Sequence, residues 1–165
     1  MRFALLAVHW AWSGVVYHWL FFRAINPAAA LFGVAFVAQA VFFTWLAAAS
    51  RGHSYQGLSL RGVLGGGIVI YGLAYPFLGF AFGLQYPRLP LFAVPCPTTL
   101  VTVGWLLSSA SVPRFVNIVP LLWAFIGSSA ASALGIQADL ALMPAGALLA
   151  IDTLAPSALG AKAAA

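Results

Sequence analysis

Five stretches of this chain run without a single Asp, Glu, Lys or Arg: residues 3–22, 27–49, 63–84, 98–109 and 115–134. A sixth, residues 140–154, carries one such residue, Asp152. A helix needs about 20 mostly apolar residues to cross the hydrocarbon core of a bilayer. The six stretches, separated by turn residues and single arginines, therefore read as the helices of an all-α, polytopic transmembrane bundle. A water-soluble alternative fails on charge. Charged residues make up 5% of the 165 positions and hydrophobic ones 64%, with a mean hydropathy of +1.03, whereas soluble domains carry about 25% charged residues. The chain reads as one transmembrane domain over residues 1–165, with no room for a second.

Arg2 followed by an apolar run resembles a signal peptide. The run continues to Phe22, contains His9 and His18, and lacks a small-residue cleavage pattern, so it reads as a retained first helix. Between helices 3 and 4 the pattern changes. Residues 85–97 hold Pro87, Pro90, Pro95 and Pro97. Proline has no N–H to donate and restricts the residue before it, so helix is excluded there and helix 4 is expected to begin at Thr98. An extended segment of this kind survives at membrane depth only where protein or a wet cavity satisfies its backbone. Pro76 falls inside helix 3, Pro120 in the first turns of helix 5, and Pro144 interrupts the short helix 6. Short or broken spans flank the central sites of some transporters; a short helix in a thin region is the plainer reading.

The net charge of +5 and a pI near 10.0 do not indicate nucleic acid, because the seven basic residues are scattered singly. They indicate orientation. With six spans, Arg2, Arg51, Arg61, Arg114 and Lys162 fall on one side and Arg23 and Arg88 on the other. The positive-inside rule then places both termini in the cytoplasm. Small residues recur four apart at Gly79/Gly83, Ala124/Ser128, Gly127/Ala131 and Ser128/Ser132, a pattern that lets helices approach closely within the bundle or between copies.

On this topology several polar residues gather toward the external side: Tyr17 and His18 late in helix 1, Asn26 in the following turn, Tyr86 and Arg88 after helix 3, and Cys96, Thr98 and Thr99 at the start of helix 4. Asp139 precedes helix 6. A helix amino-terminus favours an anion or a thiolate, which singles out Cys96; a lone cysteine as a small apolar filler, and threonines that merely cap, are the plainer alternatives. Cys96 is also a weak candidate metal ligand, since only Met1 and Met143 could add sulfur. His9 and His18 are nine residues apart and face opposite sides of a helix, so they cannot share a metal; each is expected to hydrogen-bond a neighbouring helix. Asp152, the only acidic residue within a span, should pair with Arg2, Arg61 or Arg114, or reach interfacial water. Gln39 and Asn117 need amide partners. Two acidic residues, no nucleophile elbow and a Gly65-Gly66-Gly67 run without a following Lys-Ser/Thr leave hydrolytic and nucleotide-binding chemistry unsupported.

Tyr17-His18-Trp19-Leu20-Phe21-Phe22, Ile25-Asn26-Pro27-Ala28-Ala29, Tyr86-Pro87, Val94-Pro95-Cys96-Pro97-Thr98-Thr99 and Pro120-Leu121-Leu122-Trp123 together resemble an uncharacterised bacterial multi-pass family, domain of unknown function 6064. The resemblance implies a bacterial inner-membrane location and draws attention to the external cluster. It implies no activity and no cofactor. Family members have a further amino-terminal segment, and a glycine where this chain has Ala93.

Three functional classes stay open: a small-solute channel or facilitator lined by helices 1, 3 and 4; an accessory subunit of a larger membrane complex; and a thiol- or metal-dependent protein centred on Cys96. The partners these imply are the lipid bilayer and either further copies of the chain or a larger complex. An enzyme is the less favoured alternative.

Overall fold

A computed structural model of the chain describes residues 1–49, 56–85, 93–110 and 112–159. Its framework is six helices, with no strand among the described residues. They are α1 (Arg2–Trp12), α2 (Ala29–Ala48), α3 (Leu60–Ala81), α4 (Pro95–Leu107), α5 (Ile118–Leu134) and α6 (Leu142–Leu154). Four helical runs, Arg2–Ala24, Ala29–Ala48, Leu60–Ala81 and Arg114–Leu134, are long and apolar enough to cross a membrane. Large apolar side chains such as Val8, Leu31, Val41, Ile70, Phe77 and Leu122 point outward and are exposed.

The chain is folded around a short helix. At 13 residues, α4 is roughly 20 Å long. It packs against α1, α3, α5 and α6 and buries ten of those residues, so it has almost no outward face of its own. Trp10, Phe36 and Phe43 meet Leu100, Val103, Leu107 and Val116 in one core that extends to Leu142 and Leu149. The closest helix pair is α3 with α4, where Gly65 and Gly72 face Gly104 and Val101. Between α5 and α6 the contact runs through Ala124 and Gly127 against Gly146 and Leu142, so part of the small-residue pattern packs inside the bundle.

Local chemistry sets the ends of the helices. Ser59 caps α3, its hydroxyl accepting from the Gly62 N–H at 3.1 Å. Gly135, at φ +69°, closes α5 in the left-handed region. In the turn before α2, Asn26 Oδ1 accepts from the Ala28 N–H at 3.0 Å.

Two expectations about proline are corrected. Helix is not excluded up to Pro97: α4 starts at Pro95, with Pro95 and Pro97 in its first turn. The first N–H groups of a helix have no partner within it, so prolines there cost nothing in hydrogen bonds. Nor does Pro144 interrupt helix 6; it is the third residue of α6, after a 3₁₀ turn over Gln137–Ala141. Most of the proline-rich segment, residues 86–92, lies outside the described residues. Just after it, Ala93 holds φ +68°, a left-handed conformation in which a side chain costs about 1–2 kcal/mol and a glycine would not.

Candidate functional site

Tyr17 and His18 sit on an unusual piece of backbone. Beyond Trp12 the first helix widens into a π-helix over Ser13–Phe21 and tightens to a 3₁₀ turn over Phe22–Ala24. Such π segments are rare and concentrate at functional sites. The widened turn packs close to α2, where a Cβ on Gly14 would meet the Gly33 carbonyl oxygen at 3.0 Å. It carries His18 fully inside the bundle. The imidazole lies among aromatic rings: Phe36 at 4.7 Å, Trp123 at 4.9 Å, Tyr17 at 5.0 Å and Phe32 at 5.9 Å between centroids. Neither ring nitrogen has a hydrogen-bond partner among the described residues. A buried polar atom left bare costs about 1–3 kcal/mol, so His18 is held there against a penalty.

Beside this nest lies a carboxylate. Asp139, in the turn ahead of α6, is buried. It accepts a hydrogen bond from the Tyr75 hydroxyl, and the Cys96 thiol lies near it. Tyr71, one helical turn before Tyr75, donates to the Ala138 carbonyl at 3.0 Å and pins the same turn. Tyr17 is close to both Cys96 and Asp139. Trp123 lies near the sulfur, its indole N–H without a hydrogen-bond partner among the described residues. Burial lifts the Asp139 carboxyl above the usual carboxylate range, and the Tyr75 hydroxyl and nearby Cys96 thiol only partly oppose this.

The cluster is recessed. Tyr75 stands six residues, roughly 9 Å, short of the end of α3 at Ala81, and Tyr17 stands seven residues short of Ala24, where the first helical run ends. The amino-terminal end of α4 holds Cys96, and that of α6 follows Asp139 by three residues. Helix amino-termini are electropositive, which suits a carboxylate held between them.

The sequence-derived candidates separate into groups. Tyr17 and Cys96 lie near Asp139, while His18 is packed against Tyr17 and Trp123. Thr98 and Thr99 follow Cys96 along α4; both are buried and their hydroxyls have no partner among the described residues. Below them Thr102 accepts from Trp10 Nε1 at 2.8 Å and donates to the Thr98 carbonyl at 2.7 Å. Asn26 does not join the cluster: it is exposed and spends its side chain on its own turn. Asp152 lies at the far end of α6, where Arg61 donates to it at 2.7 Å. Near it Asn117 donates to Thr153 at 2.9 Å and Gln39 to the Val116 carbonyl at 2.9 Å. Tyr86 and Arg88 lie outside the described residues.

Among the described residues Cys96 has no positively charged neighbour of the kind that activates a thiolate; those near it are a carboxyl group and an indole. No three His, Cys, Asp or Glu side chains among the described residues assemble into a set that could hold a metal ion. Of the two histidines, His18 makes no interhelical hydrogen bond among the described residues, and His9 bonds the Leu5 carbonyl of its own helix at 2.8 Å. Sequence reasoning noticed Asp139 only as a residue ahead of helix 6 and did not single out Tyr75 or Trp123. The signal for Tyr75 was its i, i+4 spacing from Tyr71 on one helix face.

The family described as "Family of unknown function (DUF6064)" matches residues 1–163. No curated protein and no solved structure matches the chain.

Proposed function

The chain belongs to the DUF6064 family, and since membership brings no activity with it, we propose from the site itself that this is an integral membrane facilitator for a small polar solute. Its location is the bacterial inner membrane with both termini in the cytoplasm, a reading supported by four apolar helices of spanning length and by the arginine distribution. One observation carries the functional part: a carboxylate, Asp139, buried in an apolar bundle beside Tyr17, Tyr75 and Cys96, where two short helices begin. Burying such a group is costly, and bundles that do so use it for solutes or protons. Short helices that start inside a bundle are a recurring frame for solute sites.

The test is flux through proteoliposomes across a panel of small neutral, cationic and anionic solutes. Wild-type protein should accelerate at least one of them. Asp139→Asn should lower that flux about tenfold or more, the worth of one charged hydrogen-bonding partner. Asn26→Ala, at an exposed turn, should leave it unchanged. No flux above protein-free liposomes, or full flux in Asp139→Asn, would sink the reading.

A further inference from the structure

A cavity whose lining does not include Asp139 lies on the side of the bundle where α1 and α3 part over α4. It holds about 270 Å³ and is lined by Leu5, His9, Leu73, Thr98, Val101 and Trp105, among others. Leu5 and Leu73 are exposed on the outer faces of α1 and α3, so with the bundle in a bilayer, as proposed above, the cavity opens toward lipid rather than toward water.

Its walls are apolar with one well-defined exception. His9 Nδ1 lies 2.8 Å from the Leu5 carbonyl oxygen. A carbonyl only accepts, so Nδ1 carries a proton; in the uncharged ring this leaves Nε2 as the acceptor, with no partner among the described residues. His9 is seven residues beyond Arg2, roughly 10 Å along the helix. At that depth a polar atom without a partner is expensive, and intramembrane histidines generally have a partner or a role. The wall also includes Thr98, whose buried hydroxyl is unpartnered among the described residues. An apolar pocket with one or two directed polar groups is the usual form of a small-molecule site. At about 270 Å³ it falls just below the roughly 300–1,000 Å³ of ordinary ligand pockets, too small for a two-chain phospholipid.

We propose that this cavity binds a membrane-soluble, single-chain or ring-headed molecule whose hydroxyl donates to His9 Nε2, the chemistry shared by long-chain alcohols and quinols. The inference uses the membrane location but not the solute reading at Asp139. The alcohol's O–H replaces a missing hydrogen bond at bilayer depth, while its apolar body lies along Leu5, Leu73 and Val101.

The experiment uses the full chain in lipid nanodiscs and a bromine-tipped long-chain alcohol, with its methyl ether as the non-donating counterpart. Bromine quenches indole fluorescence on contact, and Trp105 is in the cavity wall. Wild type should show a saturable quenching component that Trp105→Phe removes. The alcohol should produce it at about tenfold lower concentration than the ether, the worth of one hydrogen bond in a dry site. His9→Gln, which keeps an acceptor, should retain that preference; His9→Phe should keep saturable binding and lose the preference. Absence of a saturable component, equal binding of alcohol and ether by wild type, or an intact preference in His9→Phe would each overturn the assignment. Equal binding would leave ordinary acyl chains as the occupant. A quinol carrying the same bromine tag, tested beside the alcohol, decides which head group is preferred.

Discussion

Gly104→Leu is expected to unseat α4 from α3 and to destabilise the bundle by about 3 kcal/mol or more. At Gly104 an added Cβ would lie 2.5 Å from the Gly65 carbonyl oxygen and 2.8 Å from the Val69 backbone nitrogen. The contact is reciprocal, since a Cβ on Gly65 would meet the Gly104 oxygen at 2.5 Å. Both obstacles are backbone, so no side chain can rotate away; the helices themselves must separate. That would strip contacts from a helix that buries ten of its 13 residues. Unfolding in a fixed detergent, followed by circular dichroism against denaturant, measures the loss. Gly67→Ala supplies the control: a Cβ there meets nothing within 4 Å, so it should be neutral or stabilising by up to about 1 kcal/mol. Near-wild-type stability of Gly104→Leu would mean that α3 and α4 do not pack through these glycines.

The second large effect is expected at the other end of α6. Asp152→Ala should cost about 3 kcal/mol, because it leaves the Arg61 guanidinium without its counter-ion in a largely enclosed place. The two side chains are 9% and 11% exposed, and Arg61 Nε already lacks a partner among the described residues, so little water is at hand to replace the lost carboxylate. The double variant Arg61→Met/Asp152→Leu removes both charges and keeps the bulk. It should regain most of the stability, as apolar replacements of buried ion pairs do. The same unfolding assay reads both. A single variant within about 1 kcal/mol of wild type, the range of surface ion pairs, would show the pair to be solvated.

The fold was legible because apolar length and charge spacing are properties of sequence alone. Long apolar runs with almost no charge cannot be loops in lipid, and the six helices lie largely on those runs. What proline does depends on its position within a helix, and that is not visible before the helix start is known. Pro95 and Pro97 therefore looked like helix breakers although they occupy a first turn, and Pro144 looked like an interruption for the same reason. The π-helix over Ser13–Phe21 is invisible in the same way. It is set by how Gly14 meets Gly33 and how the rings around His18 pack, which are tertiary facts. Tyr17, His18 and Cys96 were found because polar residues are conspicuous in apolar runs. Asp139 received little weight because it falls between two runs, where a carboxylate looks ordinary; only the return of that turn into the bundle, against Tyr71 and Tyr75, buries it. Asn26 misled for the opposite reason, being a turn residue near the cluster in sequence but occupied with its own backbone.

The solute path proposed for Asp139 leads from the end of the bundle opposite Arg61 and Asp152, and the chain's single cysteine reports on it. Cys96 is partly accessible and borders Asp139. The measurement is modification of Cys96 in sealed, uniformly oriented vesicles by a membrane-impermeant thiol reagent, added first outside and then inside, with intact mass as the readout. The account expects slow modification from the face opposite the Arg61–Asp152 end, and protection by the solute whose flux depends on Asp139. Equal modification from both faces, modification from the Arg61–Asp152 side, or modification only by a membrane-permeant reagent would contradict it.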